Sequence, residues 1–196
     1  VGDWINYFDA IFCLNLAKRT DRRDVMLEQF ERYGLPVKFW ESYEHEKGYF
    51  GLVVTMKHLF EYCLDQNYNR VLIFEDDVVF TDSILQDLQA CVDDLKTMDW
   101  DMFFLGCNPV EQFHQVTDNL SRCGGVYMVH VYAVNHTFYD KLLSFDFSRF
   151  WVFDQHTFGL AKDPQYGVYM CNKSLVNQKP GFSGAEGQFV DYNLLV

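Results

Sequence analysis

Three consecutive acidic residues, Glu75, Asp76 and Asp77, follow an apolar run from Val71 to Phe74. The run is typical of a buried parallel strand, and open α/β sheets bind their ligands beyond the carboxyl ends of such strands. Three adjacent carboxylates repel each other where water is excluded, so a divalent cation is their natural counter-charge. The alternative explanation is a downstream helix N-terminus, where acidic side chains are favoured by the helix dipole.

Side chains alternate along a strand, so Glu75 and Asp77 are expected on one face and Asp76 on the other. We therefore interpret Asp77 as the main ligand of a metal ion and Glu75 as its same-face partner. Mg²⁺ or Mn²⁺ bound there would keep coordination positions open for the oxygens of a diphosphate. Asp76 is the member of the triplet expected to serve another purpose.

A basic segment, Asn15 to Arg23, follows the first apolar run and carries four cations in nine residues of an otherwise acidic chain. Guanidinium groups make forked contacts to phosphate or ribose oxygens, so the segment is a candidate anion site at the same sheet edge. The alternative is a solvated helix start with salt bridges to neighbouring acids, and for Arg23 that alternative is favoured.

The elements that must position these residues alternate between apolar runs and amphipathic patterns. Strands are predicted at 8–16, 37–40, 69–74, 102–105, 125–134 and 168–171, and helices at 22–33, 52–64, 136–145 and after a cap at Thr81. This alternation predicts an α/β fold with a mostly parallel sheet flanked by helices. The segment after about residue 135 is the least regular, and an irregular C-terminal region is expected.

The composition narrows the function classes. The chain has 196 residues, 49% of them hydrophobic, and a net charge of -12. One domain covering residues 1–196 is expected at this size, and the negative charge argues against a nucleic-acid partner. The sequence has no apolar stretch of membrane-spanning length and no signal peptide, which predicts a cytoplasmic protein. The six cysteines form no C-x-x-C pair and are expected to be reduced thiols.

Five segments in order carry a resemblance to a known family: CLNLAKRTDRR, GLVVTMKHLFEY, NRVLIFEDDVVF, GGVYMVHVYAVN and VYMCNKSLVNQKPGFSG. Together they resemble the family 25 glycosyltransferases, the group of lipopolysaccharide-sugar and procollagen galactosyl transferases. The resemblance runs from about Ile11 to Ser183. It implies a GT-A-type, Rossmann-like fold, a UDP-sugar donor, and an inverting single displacement assisted by Mn²⁺ or Mg²⁺. It also divides the chain into a nucleotide-sugar-binding half, about 1–106, and an acceptor-side half, about 107–196.

The resemblance assigns site residues by position. It implies that the nucleotide sugar is bound by Asn15, Leu16, Arg19, Arg22, Lys57, His58, Glu75, Asp76, Gln178, Lys179 and Ser183. Lys57 stands where the family usually has a serine, and there it is expected to offset diphosphate charge. The glycine-rich tail around Gly181 is expected to fold over the diphosphate as a lid, with Lys179 as its phosphate contact.

An inverting transfer needs a base that takes the proton from the attacking acceptor hydroxyl. Asp154 falls where the family has an acidic motif near the acceptor, and it is the candidate base. The alternative is that Asp154 caps the helix that runs through Ala161. His156 is a candidate contact for a sugar hydroxyl, whereas His130, like the other dispersed histidines, is expected to be a packed or surface residue.

The function predicted from these features is transfer of a sugar from a UDP-sugar to a hydroxyl of a glycan or glycoprotein acceptor. A nucleotidyl or phosphoryl transferase would use the same carboxylates on a metal-bound nucleotide. A non-catalytic sugar-binding or protein-binding module is the non-enzymatic alternative. No G-x-x-x-x-G-K-[ST] segment is present, which argues against a P-loop NTPase.

Overall fold

A computed structural model describes residues 2–109, 113–146, 152–183 and 187–191. The main sheet has eight strands in the order β2-β1-β3-β8-β5-β9-β7-β6. The strands are β1 (Ala10–Asn15), β2 (Lys38–Glu41), β3 (Arg70–Glu75), β4 (Val78–Phe80), β5 (Met102–Pro109), β6 (His114–Gln115), β7 (Leu120–Arg122), β8 (Val126–Asn135), β9 (Val168–Cys171), β10 (Val176–Gln178), β11 (Gly181–Ser183) and β12 (Gln188–Val190). The helices are α1 (Thr20–Tyr33), α2 (Gly48–Asp65), α3 (Ile84–Leu95), α4 (Tyr139–Leu143) and α5 (Phe153–Lys162), with short 3-10 helices at Asp3–Tyr7 and His136–Phe138.

The direction of the strands decides where the functional edge lies. Strands β1, β2 and β3 pair in parallel, β8 is antiparallel to both β3 and β5, and β5 is parallel to β9. β3, β5 and β9 therefore point the same way, and their carboxyl ends meet the amino end of β8 at one edge. The expected α/β fold with a mostly parallel sheet is confirmed, and β8 is a reversed strand that simple alternation does not predict.

Both faces of the sheet are buried, which explains why its central strands are apolar without alternation. One cluster packs α1 and α3 against side chains such as Leu72 and Phe74, and the other packs α2, α4 and α5 against Ile73 and Phe104. The left-handed Gly34, φ 65°, ends α1, and the amide of Leu35 returns to the carbonyl of Phe30.

Two predicted boundaries are wrong. Helix α3 begins at Ile84 after Ser83, and Thr81 is not its cap: the Thr81 hydroxyl donates to the carbonyl of Leu175 and ties β4 to the segment before β10. The helix predicted over 136–145 is a 3-10 turn followed by the short α4. Within the described part of the chain, no helix combines the length and apolarity needed to cross a membrane.

Candidate active site

The acidic triplet lies where β3 ends. Glu75 is the last residue of β3, and Asp76 and Asp77 form the turn into β4. The strand alternation therefore stops at Glu75, and the expected separation of Asp76 from Asp77 is wrong. Both carboxylates accept from the same nitrogen, Nη1 of Arg22, at 2.7 Å from Asp76 Oδ1 and 3.0 Å from Asp77 Oδ2.

Arg22 connects three segments of the chain. Besides the two carboxylates, its Nη2 donates to the backbone carbonyl of Phe182 in β11 at 2.9 Å. Asn15, at the end of β1, donates from Nδ2 to Asp76 Oδ2 at 2.7 Å. Asp76 is therefore held by an amide and a guanidinium, and the basic segment and the acidic turn do meet at one sheet edge.

Asp154 lies close to this cluster although it is distant in sequence. It is in the first turn of α5, whose N-cap is Val152, so Asp154 does not cap the helix. Burial raises the pKa of Glu75 well above its usual range, and the negative charges of Asp77, Asp154 and Asp76 raise it further. The candidate base Asp154 therefore interacts electrostatically with Glu75 of the acidic triplet.

Burial also raises the pKa of Asp77, while Arg22 opposes that rise. The cluster thus holds more acid than its neighbouring cations neutralise, which favours an additional cation. Among the described residues, no three His, Cys, Asp or Glu side chains are placed to form a metal cage. The oxygens of Asp77 and Glu75 suit Mg²⁺ or Mn²⁺ held by one or two carboxylates together with substrate phosphates, which is how such ions bind nucleotides.

Strand β10 brings the C-terminal segment to the same place. It pairs antiparallel with β4, and Gln178 Nε2 donates to Asp77 Oδ1 at 3.2 Å. The backbone amide of Lys179 donates to the carbonyl of Asp77 at 2.7 Å, and the Lys179 side chain is exposed. The segment predicted as a lid thus begins as a paired strand, and it continues into the hairpin of β11 and β12.

Other predicted site residues do not hydrogen-bond to the acids directly. Arg19 forms a two-pronged contact with Asp21, at 2.9 and 2.8 Å, which lowers the pKa of Asp21 to about 2, and the carbonyl of Arg19 accepts from Asn15 Nδ2. Leu16 is half-buried in the β1–α1 loop, and Ser183 ends β11. Lys57 and His58 make no hydrogen bond or ion pair with the cluster. Lys57 is nine residues beyond Gly48 in α2, about 14 Å along the helix axis.

Both of these histidines are buried. The expected sugar contact at His156 is wrong: its ring meets Phe145 edge-on and its Nε2 lies 2.8 Å from the carbonyl of Lys141, so it packs within the fold. His130, expected to be a packed or surface residue, is packed, and it also lines a cavity beside Gln178, where its charge lowers the pKa of Asp77. It lies midway along β8 and is a polar residue in an apolar run.

A second cavity, about 450 Å³, lies at the opposite edge of the sheet. Its polar groups are used by the fold: Asp101 accepts from the Thr137 hydroxyl and the Gly167 amide, and Arg70 donates to the carbonyl of Tyr7. Open α/β sheets bind ligands at the other edge. We therefore assign the functional site to the acidic turn.

Comparison with known proteins agrees with this geometry. The fold is similar to that of a glycosyltransferase involved in the glycosylation of the major capsid of PBCV-1, with a TM-score of 0.50, 13% identity, and coverage of 90% of this chain and 95% of that one. A mixed sheet of this kind, with helices on both faces, is a GT-A-like fold, and UDP-glucose pyrophosphorylase is also similar to it, with a TM-score of 0.51, 6% identity, and coverage of 83% of this chain and 72% of that one.

Sequence comparison finds a similar family. The model of glycosyltransferase family 25 (LPS biosynthesis protein) matches residues 55–147. Human procollagen galactosyltransferase 2 is 24% identical over 129 residues, 50% of this chain and 21% of the relative. A rat protein named probable inactive glycosyltransferase 25 family member 3 is 24% identical over 138 residues, 54% of this chain and 24% of the relative. The chain is similar to glycosyltransferase family 25 over these residues, and it spans about a fifth of the length of these relatives.

Proposed function

We propose that this chain is a metal-dependent, inverting glycosyltransferase that moves a sugar from a UDP-sugar to a hydroxyl of a glycan or glycoprotein acceptor. The observation that carries the proposal is the convergence of Asn15, Arg22, Asp77 and Gln178 with the electrostatically coupled Asp154 at one sheet edge. The match of residues 55–147 to the model of glycosyltransferase family 25 supports the reaction class.

Each residue has a distinct task in this proposal. The β1–α1 loop, from Asn15 through Arg19, binds the nucleotide, and Arg22 holds the acidic turn in place. Asp77, with Glu75 beside it, would hold Mn²⁺ or Mg²⁺. When bound, that ion supplies positive charge to the diphosphate leaving group.

Asp154 acts as the base. It takes the proton of the acceptor hydroxyl as that oxygen forms a bond to the anomeric carbon, and the electron pair of the broken bond leaves with the nucleoside diphosphate. The base and the leaving group must lie on opposite faces of the sugar, since the configuration inverts. Asp154 is on α5 and Arg22 is on α1, and these helices pack on opposite faces of the sheet, which supports an approach of the two groups from different sides.

Calorimetry tests the binding half of the proposal. We expect UDP to bind in the presence of Mn²⁺ and at least about tenfold more weakly with a chelator, and we expect Asp77→Asn to lose the metal-dependent part. The exposed Asp82→Asn serves as the matched control. UDP binding of equal affinity with Mn²⁺ and with a chelator, or no UDP binding, would overturn the proposal. The remaining explanation would be a non-catalytic sugar-binding or protein-binding module.

Turnover of a panel of UDP-sugars tests the chemical half. Asp154→Asn is expected to keep UDP affinity and lose transfer by 100-fold or more, a rough value for removal of a general base. Asp163→Asn, at the other end of α5, is the control. Release of pyrophosphate from a nucleoside triphosphate and a sugar phosphate would instead identify a nucleotidyltransferase. Full transfer by the Asp154 variant would move the base to another residue.

A further inference from the structure

Two buried thiols that the proposed function does not use face each other between α3 and β9. The Sγ atoms of Cys91, on α3, and Cys171, the last residue of β9, lie 3.6 Å apart, although 80 positions separate the two residues along the chain. Cys91 is 3% exposed and Cys171 is 6% exposed. All six cysteines of the chain are free thiols. This pair therefore places two reactive sulfur atoms in direct contact.

A cavity of about 360 Å³, between β10 and the ends of β5 and β9, gives access to one member of the pair. Cys171 is part of its wall, together with Cys107 of β5, whereas Cys91 is not among the lining residues. A cavity of this volume holds molecules the size of a few waters, so a small oxidant such as hydrogen peroxide fits inside it. Such an oxidant meets Cys171 first and leaves Cys91 as the thiol that reacts next.

The surroundings of Cys171 also determine how fast it reacts. Burial raises the pKa of Cys171 well above its usual range, and the hydrogen bond and the charge of Cys91 raise it further, followed by the charges of Cys107 and Asp87. The thiolate is the reactive form of a cysteine, and it is scarce at neutral pH when the pKa is raised. The pair is therefore expected to persist as two thiols and to react under sustained oxidation.

A bond between Cys91 and Cys171 would tether the segment that leads to the acidic turn. Strand β10 follows Cys171 after a short loop, and its Gln178 donates to Asp77. Helix α3 packs in the apolar cluster that also contains Cys171, so it forms a fixed anchor for such a bond. The redox state of the pair would thus decide how firmly the start of β10 is held.

The other contacts of this loop with α3 and its preceding turn are weak. Lys173 Nζ lies 3.4 Å from Asp87 Oδ1 on α3, and the lysine side chain is 76% exposed, so the ion pair contributes little. The carbonyl of Leu175 accepts from the hydroxyl of Thr81 at 3.0 Å. A covalent bond would be a far stronger link than either contact.

We propose that Cys91 and Cys171 are an oxidant-sensitive pair that a hydroperoxide converts into a disulfide. With hydrogen peroxide, the Cys171 sulfur attacks one oxygen, the O–O bond breaks, and a sulfenic acid and water are formed. The Cys91 sulfur then attacks the Cys171 sulfur, which forms the S–S bond and releases the hydroxyl group as a second water. The two thiols together lose two electrons and two protons, and the peroxide is reduced to two waters. This inference does not depend on the transfer reaction.

Mass spectrometry of the full chain tests the pairing. The folded, reduced protein is incubated with hydrogen peroxide, and the remaining thiols are blocked with N-ethylmaleimide under denaturing conditions. We expect a peptide pair that joins Cys91 to Cys171. Cys91→Ala and Cys171→Ala should lose this product. Cys63→Ala, a buried thiol in the apolar cluster on the other face of the sheet, is the matched control and should keep it.

The unfolding temperature tests the tether. Because the bond closes a loop across 80 positions of the chain, the oxidised wild type should unfold about 5–15 °C above the reduced protein, and dithiothreitol should reverse the shift. Amide exchange of β10 should slow in the oxidised form. An oxidised protein with an unchanged unfolding temperature would overturn the tether.

The identity of the linked residues decides the rest of the proposal. No cross-link in the folded protein, a bond from Cys171 to Cys107, or a bond that forms only in urea would overturn it. So would a sulfinic acid at Cys171 with Cys91 still free. If an alanine variant does not fold, the wild type still decides, because the linked peptides identify the two cysteines directly.

Discussion

Arg22 is the residue on which the local geometry of the acidic turn depends. Its guanidinium contacts Asp76, Asp77 and the carbonyl of Phe182. The side chains of Arg22, Asp76 and Asp77 are at most 17% exposed. We expect Arg22→Met to lower the free energy of unfolding at pH 7 by about 2–4 kcal/mol, because two partly buried carboxylates lose their counter-charge. Urea denaturation measures the change.

Arg23→Met is the control for this prediction. Arg23 is exposed and its guanidinium lies 4.1 Å from the centre of the Phe39 ring, so its removal is expected to cost under about 1 kcal/mol. If the two variants lost the same stability, the contacts of Arg22 would contribute no more than an ordinary surface cation.

Glu75 gives a pH-dependent prediction. Its pKa is raised in the folded chain by burial and by nearby acids, so the folded state binds more protons than the unfolded state. Stability must then fall as the pH rises above the unfolded carboxyl pKa of about 4.3, until the raised folded pKa is passed. Glu75→Gln cannot ionise, and it should exceed the wild type at pH 7 by on the order of 1 kcal/mol or more.

The measurement is the free energy of unfolding of both proteins at pH 4 and pH 7, with a chelator present. The advantage of Glu75→Gln should be largest at pH 7 and should nearly vanish at pH 4, where the wild-type carboxyl is protonated in both states. The exposed Asp82→Asn should show no such growth with pH. A variant that is less stable than the wild type at pH 7 would contradict the assigned direction. A confirmed gain would show that the site trades stability for function.

At the scale of elements, the packing of β10 on β5 is the contact that shapes the cavity lined by His130 and Gln178. Gly106→Ala would place a methyl group 2.3 Å from Val176 Cγ2. We expect this overpacking to lower the free energy of unfolding by about 1–3 kcal/mol. Val176→Ala removes one of the two close contacts, the other being with His130 Nε2 at 2.4 Å, so the double variant should lose less than the sum of the single losses.

Urea denaturation of the four proteins in this cycle gives the interaction energy. Val53→Ala, on α2 in the apolar cluster that does not contain Val176, replaces Val176→Ala in a control cycle. If the losses at Gly106 and Val176 were simply additive, β10 would not be held against Gly106 in the way the structure shows.

The sequence predicts the strands and helices that are indicated by residues within the element or directly next to it. β3 and α1 follow from continuous apolarity and from Gly34, and the residue types of the acidic turn identify the functional edge. The reversed β8 was missed, because strand direction depends on the crossover and both directions bury the same apolar run. β10 was missed because a three-residue strand has no periodicity, and its pairing with β4 is a contact across about a hundred residues.

The site shows the same division. Asp77 and Arg22 can be recognised in the sequence, because Asp77 is an acid at the end of an apolar run and Arg22 is in a basic segment of an acidic chain. His130 is a single polar residue in an apolar strand and resembles a packed histidine. The position of its imidazole depends on Gly106, where a Cβ atom would lie 2.4 Å from Nε2. A position that depends on a missing side chain on a neighbouring strand cannot be predicted from the sequence pattern. Residues 147–151, shortly before Asp154, lie outside the described part of the chain.

At the scale of the molecule, the candidate site joins segments that are far apart along the chain. The β1–α1 loop, the β3–β4 turn, β10 and the first turn of α5 all contribute to it. These elements also pack into the two apolar clusters on opposite faces of one sheet. A ligand that bridges them must therefore stabilise the whole sheet rather than a single loop.

Ligand binding is accordingly expected to raise the unfolding temperature. With Mn²⁺ and UDP at about 100 times its dissociation constant, the stabilisation is about 2.7 kcal/mol, which corresponds to about 5–10 °C for a chain of this size. Differential scanning calorimetry should show one shifted transition with UDP and Mn²⁺ together and little shift with either alone. In Asp77→Asn the shift should disappear, whereas in Asp82→Asn it should persist. A transition that splits, with only one part moving, would show that the two halves of the sheet unfold separately and that the ligand holds only one of them.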